Sequence, residues 1–175
     1  MNASQLTVRV VRKQVEAEGI CSFELADPSG ALLPVFSAGS HIDVHIPGGL
    51  TRQYSLCNHP DERHRYVIAV LNDAQSRGGS RAMHEAVEEG STLQISAPRN
   101  HFPIQPDVPR HLLLAGGIGI TPMLCMAQYL ASEGHAFAMH YCARSRERAA
   151  FIEQLRGASY AGRVALHFDD EDAAQ

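Results

Sequence analysis

Two short stretches bring together residue types that can hold a phosphate and a ring. The first is Arg52-Gln53-Tyr54-Ser55. On an extended chain, alternation puts Arg52 and Tyr54 on one face and Gln53 and Ser55 on the other. A guanidinium can grip a phosphate with two N–H groups, and a tyrosine can pack on a ring or sugar chain. The same residues also read as an exposed charge beside an ordinary strand aromatic. The second stretch is Ser76-Arg77-Gly78-Gly79-Ser80-Arg81. It offers a pliable backbone, an N-cap hydroxyl and two arginines ahead of a helix N-terminus at 81–89, all suited to phosphate. A plain N-cap with solvated arginines explains it equally.

A third stretch, Leu112 to Pro122, is a buried apolar strand running into Gly116, Gly117 and Gly119. Glycine lets the backbone turn tightly and approach a ligand with no Cβ in the way. Thr121 suits the N-cap and Pro122 the first helical position, so a positive helix end faces the turn. The spacing is that of a dinucleotide fingerprint with Pro122 in place of the last glycine.

These residues need elements to position them. Up to about residue 100, alternating segments are separated by turn residues. Strands are expected at 6–15, 20–25, 42–46, 51–57, 65–71 and 92–96, with a hairpin at Pro47-Gly48-Gly49 and a helix over 80–89. Six strands with one late helix suggest an all-β antiparallel barrel. Pro98, Pro103, Pro106 and Pro109 punctuate a connection. Strand, helix, strand, helix, strand then follow at 111–115, 121–133, 137–142, 147–155 and 164–168. That order predicts a parallel sheet with crossover helices. The expected domains are residues 1–106 and 107–175.

The chain has 175 residues, 45% hydrophobic and 19% charged, with net charge -4. This is a globular balance and argues against a disordered chain. The lack of a basic field argues against nucleic acid as a partner. No apolar run approaches the roughly 20 residues that span a bilayer, and Met1 to Leu6 carry no secretory pattern, so no membrane partner is expected. Cys21, Cys57, Cys125 and Cys142 are scattered and form no CxxC pair. They read as free thiols in a reducing cytoplasm. His41, Asp43 and His45 share a strand face. Alternate strand residues stand roughly 7 Å apart, too wide for a compact site, so a solvated polar face is expected and no metal. Met123, Leu124, Ala127 and Leu130 form a helical stripe read as core packing. Asp169 to Asp172 read as a solvated acidic end.

Taken in order, the three motifs resemble the ferredoxin reductase family of flavoenzymes. Arg52 to Asn58, Ser76 to Ser80, Gly116 to Pro122 and His140-Tyr141-Cys142-Ala143-Arg144-Ser145 resemble in particular the phthalate dioxygenase reductase group, which includes the vanillate demethylase reductases. The resemblance implies a six-stranded Greek-key barrel that binds FMN, followed by an incomplete α/β domain for a nicotinamide dinucleotide. It implies that Arg52 holds the flavin phosphate, completed by Gly78, Gly79 and Ser80. Tyr54 lies along the ring, and Ser55 donates near the flavin N5. Thr121 sits where the glycine turn meets the flavin, so Ser55 and Thr121 are the residues at the reacting centre. Gly116, Gly117 and Gly119 accommodate the nicotinamide nucleotide, and Arg144 and Ser145 lie near its adenosine ribose. Only Asn72 to Arg77 separate the fifth strand from Gly78, leaving little chain for an adenine site, so FMN is expected over FAD. Arg144, Arg146 and Arg148 could read a 2′-phosphate, yet the relatives favour NADH over NADPH.

The resemblance further implies electron transfer from NADH through FMN to a [2Fe–2S] acceptor of a Rieske-type aromatic oxygenase, with the cluster in a missing domain or a partner. After Asp172 no counterpart of the family's Cys-Gly-Pro segment or cluster domain follows. A truncated sheet is expected to expose the apolar face of Val164 to Phe168. The alternative is a non-catalytic FMN-binding module without NADH turnover.

Overall fold

A computed structural model describes residues 5–172. The first four residues, read above as lacking a secretory pattern, lie outside that range. In the antiparallel part, β1 (Gln5–Ala17), β2 (Ile20–Ala26), β3 (Ser40–Ile46), β4 (Leu50–Ser55), β5 (Tyr66–Leu71), β6 (Thr92–Ser96) and β7 (Arg99–Asn100) form one seven-stranded sheet. The hydrogen-bonded order is β4-β3-β6-β1-β2-β5, with β7 on β3. The period-two pattern explains the inside of this sheet. Ile42, Val44 and Ile46 are buried and pack with Val8, Val10, Phe23, Ile68 and Ile95. The helix α1 (Gly79–Ala86) plugs the core with Met83, and Val87 follows it inward.

The parallel part holds β8 (His111–Gly116), α2 (Ile120–Ser132), β9 (Phe137–Ala143), α3 (Ile152–Gly157), β10 (Val164–Phe168) and the short α4 (Asp169–Asp172), with sheet order β10-β9-β8. The expected stripe of Met123, Leu124, Ala127 and Leu130 is core. That core also takes in Ile20, Ala38, Cys57 and Ala69 from the antiparallel part, so the two sheets share buried apolar surface. Among the described residues no helix is long and apolar enough to cross a membrane.

Several expectations need correction. The seventh strand, β7, was not foreseen, because two residues carry no periodicity. It pairs Ser40 with Asn100 and His41 with Arg99. The polar face of His41, Asp43 and His45 is therefore half-buried, not solvated. The helix expected over 147–155 breaks. A 3₁₀ turn at Arg146–Arg148 precedes Ala149, Ala150 and Phe151, and Phe151 has φ 63. All three residues are buried, and the Tyr141 hydroxyl accepts from the Ala150 N–H at 3.0 Å. Packing thus pulls this segment out of helical register. The strand before the glycines is buried on one face only. Leu113 and Ala115 point inward, whereas Leu112 and Leu114 are 62% and 63% exposed. The apolar exposure expected at Val164 to Phe168 lies instead on β8. Phe168 is buried, with the Arg146 guanidinium 4.9 Å from its ring centroid. The acidic end forms α4, and Glu171 pairs with Arg146 at 3.0 Å.

Candidate functional site

A cleft of about 660 Å³ opens where the two sheets meet. Arg52, Tyr54 and Ser55 reach it from β4, Ser76 and Arg77 from the loop before α1, Ser80 from the first turn of α1, Gly119 from the turn before α2, and Thr121 and Pro122 from the start of α2. Residues separated by about 65 positions thus face one volume.

Local chemistry explains each wall. The hairpin at Gly48 and Gly49, with φ 93 and 83, returns the chain so that Arg52 pairs with Val44 and Tyr54 with Ile42. The Arg52 side chain spends one N–H on the Thr51 carbonyl at 2.8 Å, so most of its fork of donors is left over. Tyr54 is half-buried, and that burial pushes its phenol up to about 12 despite the nearby Arg52 charge. It is therefore a neutral ring and donor at ordinary pH.

α1 starts one residue after Gly78, whose φ of 93 only glycine adopts easily. Gly78 offers no capping side chain, and the first turn holds no acid. The Ser76 hydroxyl takes the Ser80 N–H at 3.4 Å, which leaves the Gly79 N–H and the positive helix end for an anion. Gly79 lies against Arg52, where a Cβ would meet Nε at 2.8 Å and Cγ at 3.0 Å. A bare backbone, a guanidinium and a helix end thus converge, which is the donor set a phosphate monoester needs. The expected N-cap role of Ser80 is corrected. The helix begins before it, and its hydroxyl accepts from the Asp73 N–H at 3.2 Å, bracing the 73–80 loop.

The glycine turn also differs from expectation. Gly117, with φ 50, begins a 3₁₀ turn over Gly117–Gly119, and α2 starts at Ile120. Thr121 is therefore inside the helix rather than its cap, and Pro122 is its third residue. The Thr121 hydroxyl donates back to the Ile118 carbonyl at 3.1 Å, and the side chain is buried at the cleft wall. Gly116 and Gly117 do not line the cleft. Gly116 ends β8 and pairs with Cys142 of β9, Gly117 follows it, and Arg144 and Ser145 follow β9 on the same carboxyl edge. That edge is where open α/β sheets hold nucleotides.

Sequence reasoning missed Asp73 and Gln75, which join the cleft from the loop before Gly78; no motif marked them. Of the three arginines after β9, Arg146 pairs with Glu171, and Arg148 with Glu18 at 3.0 Å. The four cysteines are free thiols. Burial pushes Cys57 up, and Cys125 up to about 12, so neither is poised as a nucleophile. Among the described residues no group of three or more His, Cys, Asp or Glu could hold a metal.

No protein-family model matches the chain. It is 62% identical over 162 residues to the vanillate O-demethylase oxidoreductase of Pseudomonas putida, covering 93% of this chain and 51% of that protein. It is 44% identical over 168 residues to the phthalate dioxygenase reductase of Burkholderia cepacia, covering 95% and 52%. The solved phthalate dioxygenase reductase, described as a modular structure for electron transfer from pyridine nucleotides to [2Fe–2S], superimposes with TM-score 0.93 at 43% identity. That match covers 98% of this chain and 54% of the other. The chain spans about half the length of the curated relatives it matches.

Proposed function

Since the chain belongs to the ferredoxin reductase-like flavoenzymes, in the group of the vanillate O-demethylase and phthalate dioxygenase reductases, we propose that it holds FMN and NADH for a reductase. That reductase passes electrons to an iron–sulfur acceptor serving a Rieske-type aromatic oxygenase. The observation that carries this reading is the convergence of Arg52, Tyr54, Ser55, Ser80, Gly119 and Thr121 on one cleft. Residues 1–106 are read as the FMN unit and 107–175 as the first part of the nicotinamide unit. Closure of the first unit into a Greek-key barrel is supported by the approach of β4 to β5, the two ends of the strand order.

Arg52 holds the FMN phosphate with the backbone of Gly78 and Gly79 and with Ser80. The short Asn72–Arg77 link favours FMN over a dinucleotide flavin. Tyr54 lies along the ring and excludes water from it. Ser55 donates a hydrogen bond at the N5 edge. Thr121 and Gly119 close the opposite wall, so that Ser55 and Thr121 flank the reacting centre. Gly116, Gly117, Arg144 and Ser145 hold the nicotinamide nucleotide on the carboxyl edge of the parallel sheet. Arg146 and Arg148 are each paired with an acid, leaving Arg144 of the three arginines to meet a 2′-phosphate, which favours NADH over NADPH. When bound, the flavin would supply the redox chemistry, two-electron exchange with a nicotinamide and one-electron exchange with an iron–sulfur acceptor. The chain contributes orientation and exclusion of water.

A second reading, a flavin-binding module without NADH turnover, draws on the open face at Leu112 and Leu114. Anaerobic mixing of the FMN-loaded chain with NADH separates the two. Bleaching of the flavin band on a catalytic timescale is expected for the reductase. Bound FMN that stays oxidised over minutes assigns the module.

A further inference from the structure

Helix α2 is a wall shared by two clefts. Its start, at Thr121 and Pro122, lines the 660 Å³ cleft. Leu124 and Gln128 line a second cleft of about 710 Å³ on the other side of the sheet junction. One face of α2 runs beside the segment that continues from Ser55. Thr121 and Ser55 share the first cleft. Seven residues on, about 10 Å along the helix, Gln128 Nε2 donates to the Cys57 carbonyl at 2.8 Å. The same amide donates to the Leu124 carbonyl at 3.0 Å, so both its hydrogens are used. One turn later, Ser132 Oγ meets His59 Nε2 at 2.9 Å. Ser132 itself donates to the Tyr129 carbonyl at 2.8 Å. It therefore accepts from His59, whose Nδ1 takes the Asp61 N–H at 3.2 Å. Asn58 anchors this segment from behind, bonding the carbonyls of His59, Glu62 and Arg65 and the N–H of Val67.

We infer that Gln128 is a positioning residue that clamps α2 to the Arg-x-Tyr-Ser segment and so sets the separation of Ser55 from Thr121 across the flavin cleft. The inference rests on the function proposed above. Cys57 is 1% exposed, and its N–H is spent on the Val67 carbonyl at 2.8 Å. Gln128 is the tie that couples its carbonyl to the parallel part. Without that donor the carbonyl faces the 710 Å³ cleft, where water can satisfy it. The fold then survives, but water does not hold α2 in place.

Amide hydrogen exchange on the full chain without flavin tests this directly. For Gln128→Met, of similar size and lacking the donor, exchange at Leu56, Cys57, Met123 and Leu124 rises about tenfold, while the β1–β2 ladder is unchanged. FMN affinity falls about tenfold in parallel. Ser132→Ala gives a smaller rise, about threefold, at the same amides, and decides the matter if Gln128→Met does not fold. Unchanged exchange at those amides, or an equal rise across β1 and β2, overturns the clamp. If the wild-type chain binds no FMN yet the localised exchange pattern holds, the functional reading fails and the clamp stands.

Discussion

Arg52, on β4, lies across the backbone of Gly79 at the start of α1, with β5 between the two elements in the chain. A Cβ at position 79 would meet its Nε at 2.8 Å, its Cγ at 3.0 Å and its Cζ at 3.2 Å. The guanidinium is thereby held against the first residue of α1. Two positive features, one a formal charge and one a helix end, are held together by the absence of a side chain.

Gly79→Ala tests that absence. Alanine is the better helix former by about 0.5–1 kcal/mol, which offsets the cost of moving a flexible arginine. The melting temperature should change little while FMN affinity drops about tenfold, because Arg52 is pushed off the helix end. Fluorescence titration and thermal melting measure the two effects. Equal affinity would show that the contact with Arg52 has no bearing on the phosphate.

Arg52→Ala should weaken FMN binding by roughly 10- to 100-fold, as expected for loss of about 1.5–3 kcal/mol of charge-assisted hydrogen bonding. Arg52→Lys should recover only part of this, since an ammonium lacks the two-pronged fork. Unchanged affinity in a fluorescence titration removes Arg52 from the phosphate role.

The pH dependence of stability should show His41. Burial first, then the charges of Arg99 and His101, hold its imidazole below the usual 6.5, against an upward pull from Asp43. Its buried Nε2 has no hydrogen-bond partner among the described residues. The unfolded chain thus takes up the proton more readily than the fold does. The contribution is fully present above pH 6.5 and is lost as pH falls through the depressed folded value. Urea midpoints from pH 7 to 5 should decline less for His41→Gln than for the wild type. Identical slopes would sink the assignment.

Tyr141→Phe probes the break before α3. The Tyr141 hydroxyl is the partner of the buried Ala150 N–H at 3.0 Å. Removing it leaves that donor unpaired and should cost about 1–3 kcal/mol in urea unfolding. Burial pushes the phenol up to about 12, so the loss should not vary with pH across the neutral range. A loss under a few tenths of a kcal/mol would mean that Ala150 finds another partner.

Much of the fold was legible in the chain because period-two alternation reports one-sided burial directly. β2, β5, β6, β8, β9 and β10 fall within a residue of expectation, and β3 starts two residues early. Of the residues that the Arg-x-Tyr-Ser and glycine motifs marked, Arg52, Tyr54, Ser55, Ser80, Gly119 and Thr121 line one cleft. Capping was read wrongly at Ser80 and Thr121. Good cap residues stood there, but the positive φ of Gly78 and Gly117 let each helical run begin earlier. The break at 149–151 was invisible, because its cause is the Tyr141 hydroxyl on another strand.

What the sequence determined by itself is local: strand faces, turn glycines and the residue types that suit a phosphate and a ring. These follow from a residue and its near neighbours. Only the tertiary structure decided which of them meet. It put Arg52 against Gly79, Gln128 on the Cys57 carbonyl, and Arg146 and Arg148 on Glu171 and Glu18. Such pairings depend on how two sheets share one core and where hydrogen bonds between distant segments close, which no local pattern encodes.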